Sequence, residues 1–528
     1  MNKSATEKVL HYHEATKHHL NRYARSSGFL DWANEPLPFR HYEGANTTRL
    51  PFIEKDMQAP YLNLYERTNN DQQAFTIEGI ASFLELSLAI SAWKKHGSTQ
   101  WALRINPSSG NLHPTEAYLI LPAIEGLADE FGGVFHYNVY LHALETRASF
   151  KERFCDNIIE DGFYVALTSV YWRESWKYGE RAFRYCNLDI GHALAAISIS
   201  ANLHGWKAQA VNTISDKDIE ILLGFDKTRW LPFEHERADI LLHVSAANSY
   251  PKEPNWNTVV DTFKPLFFTG TPNMLSKNHM EWKIIEDTSE ATVKPRTSDN
   301  NTYCHFAQWH FAENVGQTLT APEIIRKRRS AQSYDDKTML SKENFFYILE
   351  KTLPAHTRAP FDVCVGETNI HLLLFLHRIE DIDTGIYIFI REESELTSLK
   401  KHFRSDFLWE PVEPTNLPLY VLEKGDFRQK ASYMSCHQDI AGKGVFSISM
   451  LSKFKKVIEK SPYNYKRLLW EAGMVGQVLY LEAEAKQLSG TGIGCFFDDL
   501  IHTLIGLQDN YYQILYNFTV GCAIKEKK

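Results

Sequence analysis

The chain has 528 residues, 44% of them hydrophobic and 23% charged, with a formal net charge of −8. One hydrophobic core rarely serves that length, so two or three domains are expected, and an acidic balance without a long basic block excludes general nucleic-acid binding. The longest apolar window, Ile80 to Trp93, is interrupted by Glu85 and is too short to span a bilayer. In chain order, the start "MNKSATEKVLHYHEATKHH" lacks an apolar core of signal-peptide length, which predicts a cytoplasmic location. His11, His13, His18 and His19 follow no metal-ligand spacing; His13 and His18 do not share a helix face, and an exposed polar helix is expected instead. Residues 1–74 read as an N-terminal extension, a short helix followed by an irregular, Pro- and aromatic-rich segment that wraps a domain surface.

The most informative stretch is "RINPSSGNLHPTE", from Arg104 to Glu116, a turn between a strand-like approach and a strand-like exit. Pro107 and Gly110 set the bend. Ser108 and Ser109 can bond a polar rim through hydroxyl or backbone N–H, and Asn111 offers a donor and an acceptor side by side. The string resembles the flavin turn of the nitroreductase superfamily, in particular the SagB/ThcOx type of FMN-dependent dehydrogenase. That resemblance implies an FMN enzyme, with Arg104, Pro107, Ser108, Ser109 and Asn111 as flavin-binding residues.

Further along, "WRESWKYGERAFRY" spans Trp172 to Tyr185. Azoline oxidases of the SagB/ThcOx type carry a Lys-Tyr pair in a similar setting, and Lys177 and Tyr178 match it, which makes them the expected catalytic pair. Either group serves as a base only if its pKa falls from about 10 toward neutrality, and Arg181 and Arg184 are the expected cause. The bland alternative is a helix that is decorated by Lys177 and Arg181 while Tyr178 and Phe183 pack.

An internal repeat organises the whole chain. Arg184, Asp189, Gly191, Gly205 and "LLGFD" in the first half correspond to Lys466, Glu471, Gly473, Gly490 and "LIGLQD" in the second. Between the matched points, Ile190, Leu194, Ile197 and Ala201 recur at helix spacing, as do Met474, Val478, Leu481, Ala485 and Leu488, each series ending at a glycine suited to a C-terminal cap. Each half closes on a β-rich run. The expected domains are residues 75–250 and 318–528, with 251–317 as a linker rich in turn signals. The family resemblance then implies an α+β fold: two fused FMN-dependent nitroreductase-like domains forming an intramolecular pseudo-dimer, with a higher homo-oligomer as a further option.

At the head of the second domain, "IIRKRRSAQSYDD" places Arg328 and Ser330 where family members grip the FMN phosphate, just before an expected helical segment. Guanidinium and hydroxyl groups suit that dianion. Later, "GTGIGCFF" brings Gly492, Ile493 and Gly494 to the position of a family segment that passes close to the isoalloxazine. It is not a Rossmann fingerprint, since it follows a helix near the end of the chain. The turn occurs only in the first half and Arg-x-Ser only in the second, so one composite flavin site per chain is expected. Seven cysteines without a C-x-x-C pair are expected to be reduced packing residues, and no metal is implied. The expected function is an FMN-dependent oxidoreductase of a small molecule or peptide. The alternatives are a nitro- or quinone-reductase fed by NAD(P)H, and a degenerate flavoprotein that acts as a scaffold or partner subunit.

Overall fold

The structure is a computed structural model that describes residues 3–66, 72–97, 99–128, 131–151, 161–249, 252–298, 319–355 and 357–524. Two seven-stranded antiparallel sheets dominate it, one in each half. Along the first, the strands run in the order Asn46–Arg49, Ala143–Ser149, Gly133–Asn138, Thr115–Leu121, Phe163–Ser169, Arg237–Ala246, Trp206–Ala210. The second runs Glu410–Pro411, Leu419–Lys424, Gly385–Phe389, Ile370–Leu376, Phe446–Lys453, Tyr512–Gly521, Ser489–Ile493. Six strands therefore repeat in the same order. The outer edge alone differs: the first sheet takes it from the N-terminal extension, through Asn46↔Thr146 pairing, and the second from a short local strand beside Leu419–Lys424.

The central strands are continuous apolar runs, such as "IHLLLFL" at Ile370–Leu376, buried at every position. That pattern fits a sheet covered on both faces. The repeated helices, Ala182–Leu203 and Asn464–Ala485, are 22 residues each. They stand in register, so that Arg184 and Lys466 both fall in the first turn and Asp189 and Glu471 fall one turn later. The expected caps hold for only one of the two. Gly205 follows the first helix with φ +69°, whereas Gly490 lies in a strand and the matching left-handed residue is Gln487, φ +58°. Leu488 likewise falls beyond the helix end.

The chain falls into two compact units. One comprises 25–302 and 357–365 and holds the first sheet; the other comprises 1–24, 303–356 and 366–528 and holds the second. The expected extension is thus shared out, its helix Ala5–Ala15 going to the second-sheet unit. The expected linker is corrected where it is described: Trp256–Phe263 and Lys283–Ala291 are helices, and Trp256, Val259, Val260 and Phe263 belong to the first-sheet core. Four apolar side chains on one face of an eight-residue helix are reason enough to pack. Residues 303–317 lie outside the described residues.

The cysteine expectation also changes. Cys436 and Cys495 form a disulfide with Cα atoms 5.9 Å apart, while Cys186, Cys364 and Cys522 are free. Cys155 and Cys304 lie outside the described residues. Among the described residues no helix is long and apolar enough to cross a membrane.

The two helix ends invite a comparison. A side chain in left-handed backbone costs about 1–2 kcal/mol that glycine avoids. Gln487→Gly is expected to raise, and Gly205→Ala to lower, the urea midpoint of the chain, each by the equivalent of about 1 kcal/mol.

Candidate functional site

The turn is built as its composition suggests. Strand Thr99–Arg104 leads in, strand Thr115–Leu121 leads out, and Gly110 and Asn111 both take positive φ, 60° and 61°. Its polar groups are turned onto the chain itself. The Ser109 N–H donates to the Asp189 carboxylate at 3.2 and 3.3 Å, the Ser108 hydroxyl accepts from the His113 N–H at 2.8 Å, and Asn111 Nδ2 donates to the Ala102 carbonyl at 2.9 Å. Arg104 is buried and donates to the carbonyls of Thr115, at 3.2 Å, and Pro38, at 2.7 Å. Arg173 holds the exit through the His113 carbonyl, at 2.7 Å, and Glu116, at 2.5 Å. These residues fix the shape of the turn. Pro107 is half-buried at its start.

Over the turn lie Lys177 and Tyr178, the last two residues of helix Tyr171–Tyr178. A Cβ placed on Gly110 would come within 2.5 Å of Tyr178 Oη and 3.1 Å of Lys177 Nζ. The turn and the Lys-Tyr pair, 67 residues apart in sequence, are therefore in contact. Lys177 Nζ sits 5.4 Å from the centre of the Tyr178 ring, and Tyr178 packs edge-on against Tyr185 at 4.7 Å.

The electrostatics differ from expectation. Burial, reinforced by Glu174, Tyr185 and Asp189, raises the Tyr178 phenol well above its ordinary range instead of lowering it. Arg181 is directed at Tyr185, whose ring its guanidinium approaches to 5.9 Å, so the expected activation of Tyr178 by Arg181 and Arg184 is overturned. Two acids to which the sequence reading gave no chemical role complete the site. Asp189 is pushed up to about 7, chiefly by burial, against hydrogen bonds from Ser108 and Ser109. Glu174, fully buried and one helical turn before Tyr178, is raised well above the carboxylate range by burial and by Asp189, with Lys177 opposing. Asp189 was legible as a marker of the repeat; Glu174 had no signal beyond its i, i+4 spacing to Tyr178.

In the second-sheet unit, Arg328 is the C-terminal cap of helix Ala321–Lys327, so Arg-x-Ser follows a helix and no helix begins at Ser330. The physical cause is the capping box of Thr320 and Glu323, which starts the helix earlier than the motif. The Arg328 guanidinium is buried 5.1 Å from the Tyr480 ring, and burial lowers its pKa to about 10. The Ser330 hydroxyl shares a 2.8 Å hydrogen bond with Tyr480, whose oxygen also accepts from the Gly492 N–H at 3.0 Å. Ser330 bridges to Gly490, joining the two flagged segments. The glycines leave room for aromatic side chains: a Cβ on Gly492 would meet the Tyr516 hydroxyl, and one on Gly490 would lie 2.7 Å from Phe518. Ile493 is buried with Ala331 and Tyr334. Gly494 is half-buried beyond the strand end. Elsewhere in this unit, Glu14, His19 and Asp499 converge, but Lys17 already pairs with both acids, at 2.9 and 3.0 Å.

Residues 325–522 match the model of the nitroreductase family. The second half of the chain is a nitroreductase-family domain. A candidate nitroreductase of Anabaena variabilis shares the fold throughout, covering 99% of this chain and 100% of its own at a TM-score of 0.70 and 21% identity. Shorter matches include a candidate nitroreductase of Ralstonia eutropha, covering 41% of this chain and 99% of its own at 13% identity and a TM-score of 0.28. An FMN-dependent nitroreductase of Clostridium difficile covers 38% of this chain and 87% of its own, at 14% identity and a TM-score of 0.21. No curated protein matches in sequence. The nitroreductase-family match supports a flavin-dependent oxidoreductase with FMN as the cofactor.

Asp189 makes a pH prediction. Its pKa is about 7 in the folded chain against an ordinary 3.8, so the folded state binds a proton that the unfolded state has released. The associated stability is full below the lower value and is lost as pH rises through the upper one. Asp189→Asn should flatten that decline in denaturation series run across this interval, whereas Gly110→Ala should lower stability by about 1–2 kcal/mol at every pH, from strain at positive φ.

Proposed function

We propose that Lys177 and Tyr178 handle a substrate proton beside the Gly110 turn, in an enzyme that uses FMN to oxidise or reduce a small molecule or peptide. The carrying observation is the closure of both side chains on Gly110, since it unites two motifs that the sequence offered separately. When bound, FMN supplies hydride transfer, and the protein supplies orientation and electrostatics. The donor set suits it: the Arg328 guanidinium and the hydroxyls of Ser330 and Tyr480 are what a phosphate monoester needs, with Gly492, Ile493 and Gly494 on the adjoining strand end. In the first-sheet unit, taken by itself, Arg104, Pro107, Ser108, Ser109 and Asn111 fix a turn of the kind that suits a flavin's polar edge.

The direction of the Tyr178 shift favours one assignment. A phenol kept protonated at neutral pH is a proton donor, so Tyr178 suits delivery of a proton to a substrate that receives a hydride. That supports the reductive reading, with NAD(P)H as the electron source and a nitro compound or quinone as acceptor. A yellow protein bleached by NAD(P)H under anaerobic conditions is the expected result. Colour that persists with NAD(P)H would favour a dehydrogenase or oxidase, and a colourless chain that takes up no FMN would favour the scaffold.

Variants separate binding from chemistry. Arg328→Ala removes a charged hydrogen-bond donor worth ~1.5–3 kcal/mol, so FMN affinity should fall by roughly ten- to a hundred-fold in fluorescence titration. Lys177→Ala and Tyr178→Phe should stay yellow and folded while the substrate half-reaction slows by ~10²–10⁴-fold in stopped-flow absorbance. Unchanged half-reaction rates in both would reduce the pair to packing.

A further inference from the structure

Around Tyr178 the first-sheet unit buries two carboxyl groups, Glu174 and Asp189, near enough for the charge of Asp189 to act on Glu174, with very few donors between them. Ser108 already accepts from the His113 N–H, so its single O–H can serve one carboxyl at a time. The Ser109 N–H goes to Asp189. Neither oxygen of Glu174 makes a hydrogen bond of good geometry, although the side chain is fully buried. Two adjacent carboxylates cannot both be ionised cheaply without water. We propose that Glu174 and Asp189 hold one proton between them, with Glu174 as its usual bearer, and that this pair is the proton reserve of Tyr178. The inference rests on the reading of Tyr178 as the group that moves the substrate proton.

Helical spacing places the reserve. Glu174, Lys177 and Tyr178 occupy one face of the Tyr171–Tyr178 helix, at i, i+3 and i+4. The charged and titratable groups acting on the pair from surrounding elements are Asp189 and Cys186 on the long helix, Arg104 on the strand before the turn, and Lys177. Asp189, holding the backbone N–H and the hydroxyl of Ser109, is the better solvated of the two and carries the charge once pH exceeds about 7. The proton balance closes simply. Tyr178 gives its phenolic proton to the substrate; once a rotamer change brings the Glu174 carboxyl within hydrogen-bond reach of the phenolate, the O–H bond of Glu174 breaks as that of Tyr178 reforms, and a solvent proton then restores Glu174. Glu174 acts through Tyr178 and is therefore a positioning residue.

The test reads the proton directly. Infrared spectra of the full-length chain, as purified and again after FMN loading, should show a protonated-carboxyl stretch near neutral pH that is missing from Glu174→Gln. In Asp189→Asn the same band should persist but titrate at lower pH, by at least about one unit, because the neighbouring negative charge is gone. The glutamine variant mimics the neutral acid in shape and should fold, and the asparagine variant keeps the measurement informative if it does not. Parent and Glu174→Gln spectra that coincide near neutrality, or an Asp189→Asn midpoint that does not move, would overturn the shared proton. In the FMN-loaded enzyme, Glu174→Gln should also lose the parent's pH dependence of the Tyr178-dependent half-reaction, and an unchanged pH profile would overturn the link to Tyr178. A band that behaves as expected in a chain that binds no FMN would instead count against the flavin reading and leave the pair standing.

Discussion

The carboxylate that reaches from the second turn of each long helix to the backbone of the neighbouring loop is the contact on which the rest of the site depends. In the first half it is Asp189, accepting from the Ser109 N–H; in the second it is Glu471, accepting from the N–H groups of Asn369 and Ile370. Each ties a 22-residue helix to the entry of the central strand of its sheet. Backbone N–H groups at a loop have no ladder partner, so an acid delivered from the helix satisfies them at the point where the sheet begins.

The two copies of this contact have diverged electrostatically. Glu471 is met by Arg391, at 2.5 Å, so its buried charge is neutralised within a structural strut. Among the described residues Asp189 has no comparable ion pair: of the influences that favour its charge, Arg104 ranks below the hydrogen bonds from Ser108 and Ser109, and the charge of Asp189 in turn acts on buried Glu174. Removing a buried cation partner costs stability, and such a loss persists where it gives something in return. In the first half both acids are raised by burial, next to the helix end whose Lys177 and Tyr178 close on Gly110.

How much of this was legible in the sequence follows from the range of each signal. The turn was readable because Pro107, Gly110 and Asn111 act locally on the backbone, and the repeat because two long helices with matched landmarks leave a periodic trace. Gln487 misled because a left-handed residue is announced only when it is glycine or asparagine. The helices of 252–298 were masked by turn residues, being only eight and nine residues long. The Cys436–Cys495 link spans 59 residues, and pairing at that distance is a property of the fold alone. The Tyr178 shift was misread in sign for the same reason: sequence shows the two arginines nearby but not that burial outweighs them.

A second helix-to-loop tie completes the physical picture. Tyr480, sixteen residues beyond the start of its helix, bonds the Ser330 hydroxyl and the Gly492 N–H with one oxygen, and its ring faces the Arg328 guanidinium. Arg328, Ser330 and Gly492 come from two segments more than 150 residues apart, yet a single phenol sets their spacing. A rigid helix is a better ruler than a loop, because its side chains are placed by a backbone that cannot shift locally without breaking hydrogen bonds. The long helix of each unit thus does for its loops what neither loop sequence could do alone. That explains why motifs which read as ordinary turns and basic runs in isolation acquire chemical meaning only once the helices are in place.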